Sequence, residues 1–134
     1  MAKFRANTSE FGRRIKEAAR ANGAAALKAM QDTGHFLRGQ VQLRTPVDEG
    51  NLTADIAMDV VRNEKSLSAV LYIPSNAPSS QYAIRMHEGQ YNLGENSREK
   101  QHKVNVIVGR KFITRAIDDN RATIKEIIKS NLKI

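Results

Sequence analysis

The sequence predicts an α+β fold, an antiparallel sheet of three to four strands packed against a long N-terminal helix and a C-terminal helix. Three observations predict it. Apolar residues recur at helical spacing through the first forty-four residues, the period drops to two between residues 52 and 73, and helical spacing returns from Lys111 to Leu132. A chain of 134 residues fits a single domain spanning 1–134.

Ser9 suits a helix N-cap, and Glu10 follows in the first turn, where negative charge complements the helix dipole. Phe11, Ile15 and Ala18 then share one face. Leu27, Met30, Gly34, Leu37 and Val41 form a second stripe, out of phase with the first, so a break is expected at Asn22-Gly23. Gly12, Gly23 and Gly34 recur every eleven residues. On one straight helix they would form a smooth strip, although chance spacing is the weightier reading.

Pro46 biases Thr45 out of the helical region, and Gly50 completes a turn over Thr45-Pro46-Val47-Asp48-Glu49-Gly50. Leu52, Ala54, Ile56, Met58 and Val60 then alternate with polar residues, as do Leu67, Ala69, Leu71 and Ile73 beyond the turn at 62–66. This predicts a hairpin over 52–73 with Leu52, Ile56, Val60, Leu71 and Ile73 turned toward the helices. Residues 74–80 read as loop. Tyr82 to Gly89 fits either a short strand or one helical turn, and both stay open. Gln90 to Lys103 is polar throughout and reads as a long exposed loop, mobile until bound. Val104, Val106 and Val108 suggest a last strand before the closing helix. Residues 1–8 are expected to be flexible.

The chain carries 22 Lys+Arg and 14 Asp+Glu, a formal +8, with no Cys and no Trp. Absent cysteine excludes a disulfide scaffold and a thiolate zinc site. No apolar run approaches the roughly 20 residues of a membrane-spanning helix. Residues 1–7 lack the apolar stretch of a signal peptide, so the expectation is a soluble protein of the compartment that makes it. Charge is uneven, at +6 over residues 1–44 and −3 over 45–73. A basic surface favours a polyanion, and a bipolar chain suits stacking on its own copies.

Catalytic motifs are missing. Gly34 and Gly39 have a phosphate loop's gap, but Gln40-Val41 stand where Lys and Ser/Thr are required. His35, His87 and His102 lack metal-ligand spacing. His87 beside Glu88 is weighed as an acid/base pair and set aside, because neighbouring side chains ordinarily point apart. Asp55 and Asp59 would share one strand face. They could take a cation, but a contact to a basic partner is the stronger reading. Arg13, Arg14, Lys16 and Arg20 form a basic helix face able to meet phosphates without reading bases. No enzyme activity and no cofactor are expected.

Three segments in order resemble a known family. Thr45-Pro46-Val47-Asp48-Glu49-Gly50-Asn51-Leu52 resembles "aPvdtG-x-L", Tyr82-Ala83 with His87-Glu88-Gly89 resembles "YA…vEfG", and Gly109-Arg110-Lys111-Phe112-Ile113-Thr114-Arg115-Ala116 resembles "pFl.pAl". This is similar to the neck, or tail-completion, family of long-tailed bacteriophages, over about residues 9–132. Two positions depart from the pattern: Glu88 meets Gly89 directly where the family has Phe between them, and Lys111 stands where it has Pro.

The resemblance implies a non-enzymatic virion protein, made in the host cytoplasm. It would form a homo-oligomeric ring, expected to be six- or twelve-fold, between the portal or connector and the tail, around the DNA channel. Partners would be neighbouring copies, a connector or head-completion protein, a tail terminator or tail tube, and DNA without sequence preference; no membrane is expected. Tyr82, Glu88 and Gly89, with Asp55 and Asp59, are the candidate contacts to subunits or partners. Arg13, Arg14, Lys16 and Arg20 are the candidate DNA-channel contacts. The competing reading is a small basic DNA-binding protein that ignores sequence.

Overall fold

The computed structural model describes residues 3–4, 10–47, 50–63 and 66–134. Among them run β1 (Lys3–Phe4), α1 (Glu10–Ala21), α2 (Gly23–Arg44), α3 (Asn51–Asp55), β2 (Ala57–Arg62) and β3 (Leu67–Tyr72). A 3₁₀ turn (Pro78–Gln81) follows, then α4 (Ala83–Glu88), α5 (Glu95–Val104), α6 (Phe112–Asp119) and α7 (Arg121–Leu132). The fold is mostly helical α+β, with an antiparallel hairpin lying on α2.

Helix α2 is the spine. Ala26, Ala29, Met30, Thr33, Gly34, Leu37 and Val41 are buried along it at three- and four-residue steps, a stripe that only a helix presents on one side. Its expected start is correct: the Asn22 side chain accepts from the Ala25 N–H at 3.1 Å, capping α2 where α1 ends. Because α1 and α2 are separate helices, the three evenly spaced glycines form no common strip. Gly34 has its own reason. A Cβ there would stand 2.5 Å from the Met58 sulfur, so α2 and β2 approach more closely than alanine allows without moving Met58.

The hairpin is shorter than predicted. Strand β2 begins at Ala57, pairing Ala57 with Tyr72 through Arg62 with Leu67, while residues 51–55 form helix α3. Leu52 and Ile56 are spaced four apart, a step that satisfies both a strand face and a helix face, and Gly50 in the left-handed region starts the helix. The predicted facing holds: Leu52, Ile56 and Leu71 are buried, and Val60 and Ile73 pack against the same core.

Three further expectations are corrected. Residues 95–104 are helix α5, not loop. The three-valine strand is absent, since Val104 closes α5 and β3 already has partners on both edges, in the order β1-β3-β2. The closing helix is two helices, because Asn120 turns its amide back to the Ala116 carbonyl at 2.8 Å and to the Gln40 side chain at 3.3 Å. The break lets Phe112, Ala116 and Ile117 of α6 and Ile124 and Ile128 of α7 all reach the core around α2.

Lys3 and Phe4 pair with Val70 and Ala69, where a flexible tail was expected. Residues 5–8 of that tail, the Ser9 cap, the Phe11 side chain, Asp48-Glu49 and the turn residues Glu64-Lys65 lie outside what is described.

Ile56 is 1% exposed, so Ile56→Asp would bury a charge without a partner. The variant should lose more than about 4 kcal/mol and with it cooperative folding. A thermal melt within a few degrees of the parent's would refute the inward facing assigned to Ile56, at the junction of α3 and β2.

Candidate functional site

The three sequence segments singled out above are far apart in the chain and close in space. The Arg44 carbonyl, at the entry to the first, accepts the Gly109 N–H of the third at 2.8 Å. The His87 carbonyl of the second accepts the Lys111 N–H at 2.7 Å. Pro46, Val47 and Leu52 line a cavity of about 180 Å³ together with Tyr82 and Met86.

Helix α4 is six residues long and ends at Glu88, with Gly89 closing back on the Arg85 carbonyl at 2.7 Å. A Cβ at Gly89 would sit 2.5 Å from that oxygen, so glycine is required to end the helix this tightly. The second segment thus settles as a helical turn. Lys111 approaches from the far side in the left-handed region, at φ 61°. That conformation is closed to proline, whose φ is held near −65° and which has no N–H to give His87.

Side chains complete the junction. Lys111 Nζ and Glu88 Oε2 form an ion pair, Glu88 Oε1 lies 3.1 Å from His87 Nδ1, and Arg110 Nε donates to the Glu88 carbonyl at 3.1 Å. His87 and Glu88 therefore do meet, contrary to the expectation for neighbouring residues. Both lie in the last turn of α4, and the Glu88 carboxylate sits between His87 and Lys111. His87 stands edge-on to Phe112, with ring centroids 4.8 Å apart, and its Nε2 is buried without a partner.

The hydrogen bond from Lys111, then that from His87, holds the Glu88 carboxyl below the usual range. Burial pushes the His87 pKa down, and Glu88 opposes it only in part.

This junction walls a groove of about 710 Å³. Ile73, Ala83, Ile84, Phe112 and Ile113 give it an apolar lining, while His87 and Glu88 are among its polar residues. Ile84 is 78% exposed, an aliphatic side chain left uncovered beside the groove. Such a surface can take up apolar side chains of another chain. Among the described residues no cluster of His, Asp or Glu could hold a metal ion.

The other candidates are scattered. Arg13, Arg14, Lys16 and Arg20 are exposed on α1, with Arg13 paired to Glu17 at 2.6 Å. Asp59 is exposed on β2 and accepts the Tyr72 hydroxyl at 2.6 Å, which raises the Tyr72 pKa. Asp55 is not on that strand. It ends α3 and accepts the Ser79 N–H at 2.9 Å, tying the 3₁₀ turn to α3. Tyr82 is half-buried in the wall of the small cavity.

Sequence reasoning missed the roles of Lys111, Arg110, Arg44 and Lys100. Arg44 is 3% exposed and reaches Asp119 at 3.1 Å. Its place one turn past Val41 and two past Leu37 was the available signal. No family model, curated protein or solved structure matches the chain.

His87 gives the junction a pH dependence with a definite sign. Its folded pKa lies below the unfolded value of about 6.5, so the unfolded chain takes up the proton first as pH falls. The stability His87 confers is therefore present above pH ~6.5 and declines on acidification through that value. The urea midpoint should drop from pH 7.5 to pH 5.5, and His87→Leu should shrink the drop. An equal drop in both proteins would remove His87 as the cause.

Proposed function

We propose that the chain is a structural ring subunit of the neck of a long-tailed bacteriophage, joining portal or connector to tail around the DNA channel. The observation that carries this reading is the convergence of the three family-like segments. They are separated in sequence by about thirty and twenty residues, yet a backbone hydrogen bond joins the second to the third, another ties the third to Arg44 at the entry to the first, and the first and second line a common cavity. Residues that define a family pattern commonly cluster this way when they build one structural unit.

Surface chemistry supports the same reading. The groove offers an uncovered aliphatic patch, as heterologous subunit contacts require. The cations of α1 suit passing phosphates without base recognition. Lys111, where the family has Pro, closes the second segment on the third by its own N–H and ammonium, a variation in how the unit is fastened.

The test is assembly. Particles carrying a deletion of this gene should accumulate as filled heads and unattached tails, and micrographs of the protein with its connector should contain rings. Tight, salt-dependent retention of DNA by the isolated chain would favour the DNA-binding reading instead. Asp59 is the cleaner surface probe, since Asp55 serves the fold. Asp59→Lys should impair ring or virion assembly while the monomer melts within a few degrees of the parent, and normal assembly would exclude Asp59 from the contact.

A further inference from the structure

Residues 90–107 leave the body of the protein and return to it. Their two ends are fastened to each other at the base, by the His87–Lys111 backbone bond, the Glu88–Lys111 pair and Arg110 on the Glu88 carbonyl. Gly89 precedes the excursion and Gly109, at φ 116°, follows it. Most of its length is α5, whose Glu95, Asn96, Arg98, Glu99, His102 and Lys103 are exposed and whose single buried residue is Ser97.

Polar bonds hold α5 down. The Ser97 hydroxyl accepts the Val47 N–H at 2.8 Å and reaches its carbonyl at 3.2 Å. Lys100 Nζ donates to the carbonyls of Gln42 at 2.5 Å and Thr45 at 2.7 Å, and to the Thr45 hydroxyl at 3.1 Å. Gln101 accepts the Val108 N–H at 2.9 Å. Beneath lies the small cavity lined by Val47, Leu52, Tyr82, Met86, Leu93 and Ser97. An element attached by few apolar contacts opens at lower free energy than the core it rests on.

We propose that α5 and its strap form a lid, latched by Lys100 to the C-terminal end of α2 and by Ser97 to Val47 just beyond it, that opens as a unit over this cavity while the core stays folded. The latch is close to balance. The ammonium meets uncharged oxygens only: on α2 its neighbour Arg44 is turned to Asp119, and on α5 Glu99, His102 and Lys103 face solvent. Burial accordingly lowers the Lys100 pKa to about 8. Opening therefore takes up a proton at any pH between about 8 and the unhindered value near 10.5, and raising the pH across that window tightens the lid.

Amide hydrogen exchange on the full chain tests this. In Lys100→Met, residues 95–104 should exchange roughly ten- to a hundred-fold faster, the range expected on losing a charge-assisted hydrogen bond, with α2 and α7 unchanged. Ser97→Ala should act in the same direction. In the wild-type protein, α5 protection corrected for intrinsic chemistry should be lower than that of α2 and should rise between pH 8 and 10. Unchanged exchange in Lys100→Met, or acceleration of α5 and α2 together, overturns the proposal. Should that variant fail to fold, equal protection of α5 and α2 in the wild-type protein overturns it as well.

Discussion

The C-terminal turn of α2 is where the protein is held together. A helix leaves its last carbonyls without partners inside the helix, and the negative end of its dipole gathers there. Here those oxygens are claimed by remote parts of the chain. Gln42 and Thr45 receive Lys100 of α5, and Arg44 receives Gly109 ahead of α6. Satisfying one helix end thus fixes the positions of the elements on both sides of the candidate site.

Arg44 is central to that arrangement and asymmetric in its energetics. Its guanidinium is buried, whereas Asp119, its partner, is 56% exposed on the side chain. Water can solvate the carboxylate if the pair parts, but the cation has only the Gln40 oxygens to fall back on. Removing the acid is therefore the costlier change to the pair, since it strands a buried cation, whereas removing the arginine leaves Asp119 to water. The base of α6 is thereby tied to α2 by charge as well as by the packing of Phe112 and Ala116.

Long amphipathic elements were legible in the sequence because burial on one face repeats often enough to exclude other periods. That holds for α2, for the hairpin's inward residues and for the apolar positions of α6 and α7. Short or polar elements were not. Leu52 and Ile56 fit two periods at once, so α3 passed for strand, and α5 presents no apolar stripe because tertiary hydrogen bonds hold it. Three valines at alternate positions carried too little pattern to signal that no partner strand awaited them. At the site, Tyr82, Glu88 and Gly89 stood out in sequence, but their closure by Lys111 depends on a backbone conformation that residue types do not reveal. Asp55 was misassigned for the same reason α3 was: its neighbour in space, Ser79, is twenty-four residues away.

The clasp between residues 87–88 and 110–111 also governs how the chain can change over time. Once two ends of a segment are joined at the base, the body of the protein no longer senses the length of what lies between. Lengthening such a loop adds only a logarithmic entropy, about 0.6 kcal/mol for each doubling. Insertions and deletions between Gln90 and Ile107 that keep Ser97 and Lys100 in place are therefore tolerable to a core built from α2, the hairpin, α6 and α7. The same scaffold can present a different outward-facing structure at this one place while everything beneath it stays the same.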